Sequence, residues 1–371
     1  MGLVKIPKSA IEFFKKNQDE IFNSGNLAEG PWNQKLSEKI KEITGSKNAI
    51  CVNSNGSGLV AILLIFKEYF GREEIMIQSN TMYGVKTIVG TAGFNLVNYI
   101  DCQIETLMPS FQDVRKAIDN YKGDKNKLVV MLSDIGGIIN PHIEQISKFL
   151  KQENILLLED AAHSFGSTLN KKFAGTFGTV GCFSAHPLKN LNAMGDSGYL
   201  TTNSNTIANY IRDIRNHGMT NRNKIYHFGH VSRMDNLQAS ILNYRLKSLP
   251  GIIKKRRENA KIYFENLNEN YIFFPRENEK EFNTYHTFVV QLPKRDQLKK
   301  YLRKKGIETS IHYPIPIHLQ PAAKKLNYKK GDFKVTEKQA KEILTLPINQ
   351  YLNKNDIKKI CLEINKFYEN Q

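Results

Sequence analysis

The stretch Ile155–Asn203 reads ILLLEDAAHSFGSTLNKKFAGTFGTVGCFSAHPLKNLNAMGDSGYLTTN. Ile155, Leu156, Leu157 and Leu158 form a short apolar run that stops at Glu159-Asp160. A run of that length, bounded by turn residues, is the pattern of a strand covered on both faces in a parallel sheet. Open α/β sheets bind ligands beyond the carboxyl ends of their strands, which is where the two carboxylates fall. A glycine-rich loop follows, then a second strand, then a turn carrying Lys189 among Pro187, Leu188 and Asn190. Gly195-Asp196-Ser197-Gly198 reads as a tight turn into the last strand.

Outward from this stretch, strand and helix patterns alternate. Residues 1–35 read as an arm with a short helix, and a helix is expected from Leu36 to Gly45. Ala49–Val52 is an expected strand, NSNGSG (53–58) a turn, and GLVAILLIFKEYF (58–70) an apolar helix. Strands are expected at 74–79, 94–100 and 128–133, with helices at 83–92, 111–121 and 143–152. Such alternation implies a mainly parallel sheet with helices on both faces. After Asn203, helices are expected at 205–217 and 234–247 before Leu249-Pro250-Gly251 breaks the chain. Beyond it lie a long helix, alternating strands near 284–292 and helices near 295–305, 334–344 and 354–369. The expected division is a large domain with an N-terminal arm at 1–250 and a smaller α/β C-terminal domain at 251–371.

The 371 residues are 40% hydrophobic and 24% charged, ordinary for a water-soluble globular protein. No apolar run is long enough to span a bilayer, and charges interrupt the N-terminus where a signal peptide needs an apolar core. A cytoplasmic protein is expected. Four cysteines without metal-ligand spacing read as free thiols, and nine histidines without a ligand pattern predict no metal. The net charge of +17 comes from 53 basic and 36 acidic residues. Its functional reading is a phosphate-rich partner; its plainer reading is lysine on solvated helix faces. The lysines are scattered rather than blocked with aromatics, so no nucleic acid partner is expected. KKRR (254–257) is read as a solvated face of an amphipathic helix.

Three features carry chemistry. NSNGSG follows a strand and opens a helix, where exposed amides and a hydroxyl hold a phosphate; an ordinary N-capping turn has the same pattern. Asp160 sits at a strand end, where an ionised carboxylate keeps a pyridinium nitrogen protonated, or where one of the pair Glu159-Asp160 caps the next segment. Lys189, about thirty residues on, lies in a Gly-, Ala- and Ser-rich setting rather than a typical surface turn, with Ser184 five residues before it. Burial lowers a lysine's pKa and makes it nucleophilic. A lysine that forms a Schiff base and an acid on a ring nitrogen are what pyridoxal 5'-phosphate needs. His163, three residues after Asp160, reads either as a ring contact or as a structural histidine.

Together these motifs resemble the sugar aminotransferases of the DegT/DnrJ/EryC1/StrS family. The resemblance spans nearly the whole chain: EDAAHSFGS (159–167), FSAHPLKN (183–190), GDSGYLTTN (195–203), RNHGMTNR (215–222), GHVSRMDNLQASIL (229–242), YHTFVV (285–290), GIETSIHYPIPIHLQPA (306–322) and GDFKVTEKQAKEILTLPI (331–348). It implies an aspartate-aminotransferase-like fold of type I and a homodimer with active sites at the interface. Lys189 would be the catalytic lysine, Asp160 the partner of the pyridine nitrogen, and His163 a ring contact. Gly56, Ser57 and Ser184 would hold the phosphate, and loop 215–233 would reach the neighbour's site. Met82 stands where the family carries an aromatic that stacks on the ring, with Tyr83 next. Gly229-His230-Val231 stands where the family has Gly-Tyr-Asn. Tyr83, His217, Arg222, Tyr313 and His318 are the implied residues at the substrate end. Lys189 argues against the family's dehydratases, which replace that lysine by histidine. The implied activity moves an amino group from an amino acid, L-glutamate, to a nucleotide-linked keto-deoxysugar for surface polysaccharide. The alternatives are another fold-type-I reaction on an amino acid, or a non-catalytic regulatory or nucleic-acid-binding relative.

Overall fold

The computed structural model describes residues 6–221 and 223–370. Arg222 and the first five residues of the arm lie outside the described residues. Helix α1 (Lys8–Ser24) is a full 17-residue helix rather than a short one. Helix α2 (Pro31–Thr44) starts five residues earlier than Leu36. Pro31 suits the first helical position, where no N–H is needed, and the Asn33 side chain accepts from the Gly30 N–H at 2.9 Å.

Seven strands form the central sheet: β1 (Asn48–Val52), β2 (Glu74–Gln78), β3 (Asn95–Ile100), β4 (Leu128–Ser133), β5 (Leu156–Asp160), β6 (Val180–Ser184) and β7 (Gly198–Thr202). Their order is β1-β7-β6-β5-β4-β2-β3. Six are parallel, and β7 runs against both neighbours. Successive residues feed opposite faces: Leu158 packs with Val52, Leu59 and Ile77, and Leu157 packs with Val130, Leu132 and Ile146. Both faces are covered, which is why these strands read as unbroken apolar runs. The apolar helix α3 (Asn55–Glu68) buries Leu59, Ile62 and Phe66 against the first of those faces.

Gly195–Ser197 is not a tight turn between two strands. Residues 185–197 form one loop joining β6 to β7, and Lys189 sits on it. The C-terminal part pairs strands Phe288–Gln291 and Ile343–Leu346 antiparallel, packed against helices Leu249–Asn266, Arg295–Lys304 and Lys354–Glu369. Strand Ile343–Leu346 replaces the end of the helix expected over 334–344, which stops at Glu342. Helix Leu249–Asn266 serves two cores: Leu249 and Ile253 pack beside the sheet, Ala260 and Tyr263 in the C-terminal core. A division at 250 falls in its first turn. KKRR is only partly a solvated face: Lys254 is exposed, but Arg256 is buried and donates to the carbonyls of Tyr285 (3.2 Å) and His286 (2.9 Å). Arg257 pairs with both carboxylate oxygens of Glu277.

Candidate active site

Sheet register brings the acidic end of β5 level with its neighbours. Asp160 lies opposite Ser133 on β4 and Cys182 on β6. The pair Glu159-Asp160 divides between the two faces, as strand alternation requires. Glu159 turns away from the cavity, where its Oε2 accepts from Gly175 N–H at 2.8 Å and its Oε1 from Gly178 N–H. Asp160 turns toward the cavity. Its Oδ1 accepts from Asn55 Nδ2 (3.1 Å) and Ala162 N–H (3.3 Å), and its Oδ2 from Ser133 Oγ (3.3 Å). Burial raises the Asp160 pKa, while Asn55, Lys189, Ala162 and Ser133 pull it back.

Lys189 faces that carboxylate across a cavity of about 340 Å³ whose walls include Gly56, Met82, His163, Ser184 and Tyr313. Burial lowers the Lys189 amine to about 8, against the opposing attraction of Asp160. Three histidines surround it, and burial lowers each of their pKa values. His163 stays neutral; its Nδ1 accepts from Gly136 N–H at 3.3 Å, which leaves the proton on Nε2. Its ring centroid lies 4.6 Å from that of His286.

The cavity floor is the start of α3. Ser54 caps the helix and accepts from Ser57 N–H at 3.1 Å, and its Oγ lies 2.9 Å from Ser57 Oγ. Ser57 therefore turns toward its own cap, and Gly56 with Asn55 lines the cavity. The floor depends on Gly198: a Cβ there would lie 2.7 Å from Asn55 N and 2.7 Å from Phe183 O. Ser184 Oγ accepts from His186 N–H at 3.3 Å at the cavity edge.

The outer residues divide. Met82 lines the cavity half-exposed, its Sδ accepting from Gly84 N–H at 2.9 Å. Tyr83 is exposed, its ring edge-on to Tyr313 at 6.2 Å. His318 does not belong to the site: it is buried in the core against Phe333, its Nε2 3.1 Å from Glu337 Oε1. His217 is exposed and is not among the cavity walls; with Arg222 undescribed, loop 215–233 gives this cavity no residue named at the substrate end. Its base is pinned to β1, with Arg215 Nη1 on Cys51 O (2.9 Å) and Asn53 N–H on Ser232 O (2.8 Å). Its tip presents Tyr226 and Phe228, the latter 91% exposed. Sequence reasoning did not single out Asn55, Ser133, Asp134, His286, Thr287 or His312, all of which line the cavity. His286 and His312 sit in segments quoted for other reasons, beside Tyr285 and Tyr313.

A parallel sheet with one reversed strand, a half-buried lysine and a buried strand-end carboxylate fit a pyridoxal-phosphate-dependent aminotransferase of fold type I. Residues 8–365 match the DegT/DnrJ/EryC1/StrS aminotransferase family, and the chain belongs to that family. It is 31% identical over 355 residues to a pleiotropic regulatory protein of Geobacillus stearothermophilus, covering 94% of this chain and 93% of that one. It is 28% identical over 352 residues to the dTDP-3-amino-3,6-dideoxy-alpha-D-galactopyranose transaminase of Aneurinibacillus thermoaerophilus, covering 94% and 93%. The structure of S. venezuelae DesV in complex with a ketimine intermediate superposes with a TM-score of 0.87 at 25% identity, covering 97% of this chain and 96% of that one.

Proposed function

We propose that the chain transfers an amino group from L-glutamate to a nucleotide-linked keto-deoxysugar, in the cytoplasm and on the way to a surface polysaccharide. The observation that carries this reading is the half-buried Lys189 on the wall of a cavity at the strand ends that the buried Asp160 also lines. The transaminase relative named above, which acts on a dTDP-linked amino sugar, supports the substrate class. Among the described residues no helix is long and apolar enough to cross a membrane.

The residues fit pyridoxal phosphate. Asp160, held by three donors, its pKa raised by burial and pulled back by Asn55 and Lys189, would be the partner that keeps the ring nitrogen protonated. The start of α3 at Gly56, kept open by the missing Cβ of Gly198, and the Ser184 hydroxyl would receive the phosphate. His163, neutral and protonated on Nε2, would donate to an oxygen on the ring. When bound, the cofactor supplies an electron sink for charge at the substrate carbon. Lys189 Nζ moves the proton: an amine held at about 8 is partly neutral near physiological pH, so it accepts and returns a proton as general base and acid. The exposed apolar tip of loop 215–233, Tyr226 and Phe228, supports a homodimer in which this loop covers the neighbour's cavity.

The test is the two half-reactions in sequence. L-glutamate should convert enzyme-bound cofactor to its pyridoxamine form with release of 2-oxoglutarate, and a nucleotide-linked keto sugar should reverse the spectrum. Conversion by glutamate with no reversal by any member of a keto-sugar panel would remove the sugar acceptor.

A further inference from the structure

A second cavity, of about 230 Å³, adjoins the first. The two share the walls Leu188, Lys189, His286, Thr287 and His312, but the second does not include Asp160 and runs to Tyr351 instead. Two buried arginines line it. Arg245 ends the helix Asn236–Arg245 and is 3% exposed; its Nε and Nη1 have no hydrogen-bond partner. Arg256 uses Nη1 to hold the carbonyls of Tyr285 and His286, and its Nε has no partner.

Buried charges are ordinarily paired, because a guanidinium taken out of water needs an anion and hydrogen-bond acceptors to offset its lost hydration. The Glu308 carboxylate lines the same cavity, but among the described residues no ion pair joins a carboxylate to either arginine, and Tyr351 acts on both electrostatically. Burial lowers both guanidinium pKa values, Arg256 to about 10, and a guanidinium is not deprotonated in a protein, so both are cations. The guanidinium is the side chain best matched to a carboxylate, which it binds through parallel N–H donors.

His286 links the two cavities. Arg256 holds its carbonyl, and its ring feels the charges of both Lys189 and Arg256. A molecule with an amino group at Lys189 and a short chain past His286 therefore ends among the arginines. The volume lies below the roughly 300–1,000 Å³ of pockets for drug-sized ligands. It admits a short carboxylate chain and is too small for a nucleoside diphosphate.

We propose that Arg245 and Arg256 form the anion end of the amino-donor site and receive the side-chain carboxylate of a dicarboxylic amino acid whose amino group faces Lys189. The assignment rests on the aminotransferase reading above. It makes Arg245 the residue that separates dicarboxylic from monocarboxylic donors.

The test is calorimetric titration of the pyridoxal-phosphate-loaded enzyme with glutarate, butyrate and UDP, none of which carries an amino group to react. Wild type should bind glutarate at least tenfold more tightly than butyrate. Arg245→Gln should lose at least tenfold in glutarate affinity and stay within twofold for butyrate, with Arg245→Lys in between. Equal affinity of wild type for glutarate and butyrate would overturn the assignment, and needs no variant. So would undiminished glutarate binding by a folded Arg245→Gln. A tenfold loss confined to UDP would assign the cavity to the acceptor's phosphates instead. Failure of the parent reading shows separately, as wild-type cofactor that glutamate does not convert.

Discussion

Replacing Lys189 by methionine keeps most of the side chain's length and removes its charge, and the structure fixes the sign of the effect on the cofactor-free protein. The Lys189 amine sits at about 8 in the fold against an ordinary 10.5, because burial outweighs the attraction of Asp160. The difference, 10.5 minus about 8, at ~1.4 kcal/mol per pH unit, comes to ~3 kcal/mol. Below pH 8 the lysine is protonated in folded and unfolded chains alike, and the whole penalty falls on the fold. Between pH 8 and 10.5 the unfolded chain binds more protons, so wild-type stability rises with pH. Above 10.5 the lysine is neutral in both states and the penalty is gone. Urea unfolding of cofactor-free protein at pH 7, 8, 9 and 10 should therefore show Lys189→Met more stable than wild type by ~3 kcal/mol at pH 7. That margin should shrink steadily above pH 8. A variant no more stable than wild type at pH 7, or a margin that does not change with pH, would refute the reasoning.

Three further outcomes follow from packing. Gly198→Ala places a Cβ against backbone atoms of Ser54, Asn55 and Phe183, so it should cost ~1–3 kcal/mol in thermal melting and speed cofactor loss on dialysis. Glu159→Ala leaves the N–H groups of buried Gly175 and half-buried Gly178 without their acceptor. It should cost ~1–3 kcal/mol, read by urea titration, while the visible absorbance of bound cofactor survives in the folded fraction. Tyr226→Ser with Phe228→Ser removes the exposed apolar tip of loop 215–233 and, on the proposed homodimer, should shift sedimentation toward monomer.

The central sheet was legible because its strands are covered on both faces, so LVVMLS and ILLLED read as unbroken apolar runs. Strand direction is not written in such runs, and the reversal of β7 emerged only from its pairing with β1 and β6. Strand Ile343–Leu346 was hidden because ILTL continues the apolar spacing of the preceding helix. The Asp160–Lys189 pair was legible because both residues lie in one stretch of chain. His286 and His312 were not, because they arrive from about a hundred residues or more beyond Lys189 and meet it only when the C-terminal part folds back. His318 was misplaced because a motif gives order along the chain and not side-chain direction; one short turn beyond Tyr313, its ring points into the core toward Glu337. Arg256 was misread because a basic run on a helix looks solvated until carbonyl partners are seen.

Lys189 is the residue proposed to hold the cofactor. Borohydride reduction of the pyridoxal-phosphate-loaded protein, followed by proteolysis and mass mapping, tests it directly. A single modified peptide carrying the cofactor mass on Lys189, absent from Lys189→Ala, is the predicted result. An adduct on another lysine, or an equal yield from Lys189→Ala, would contradict it.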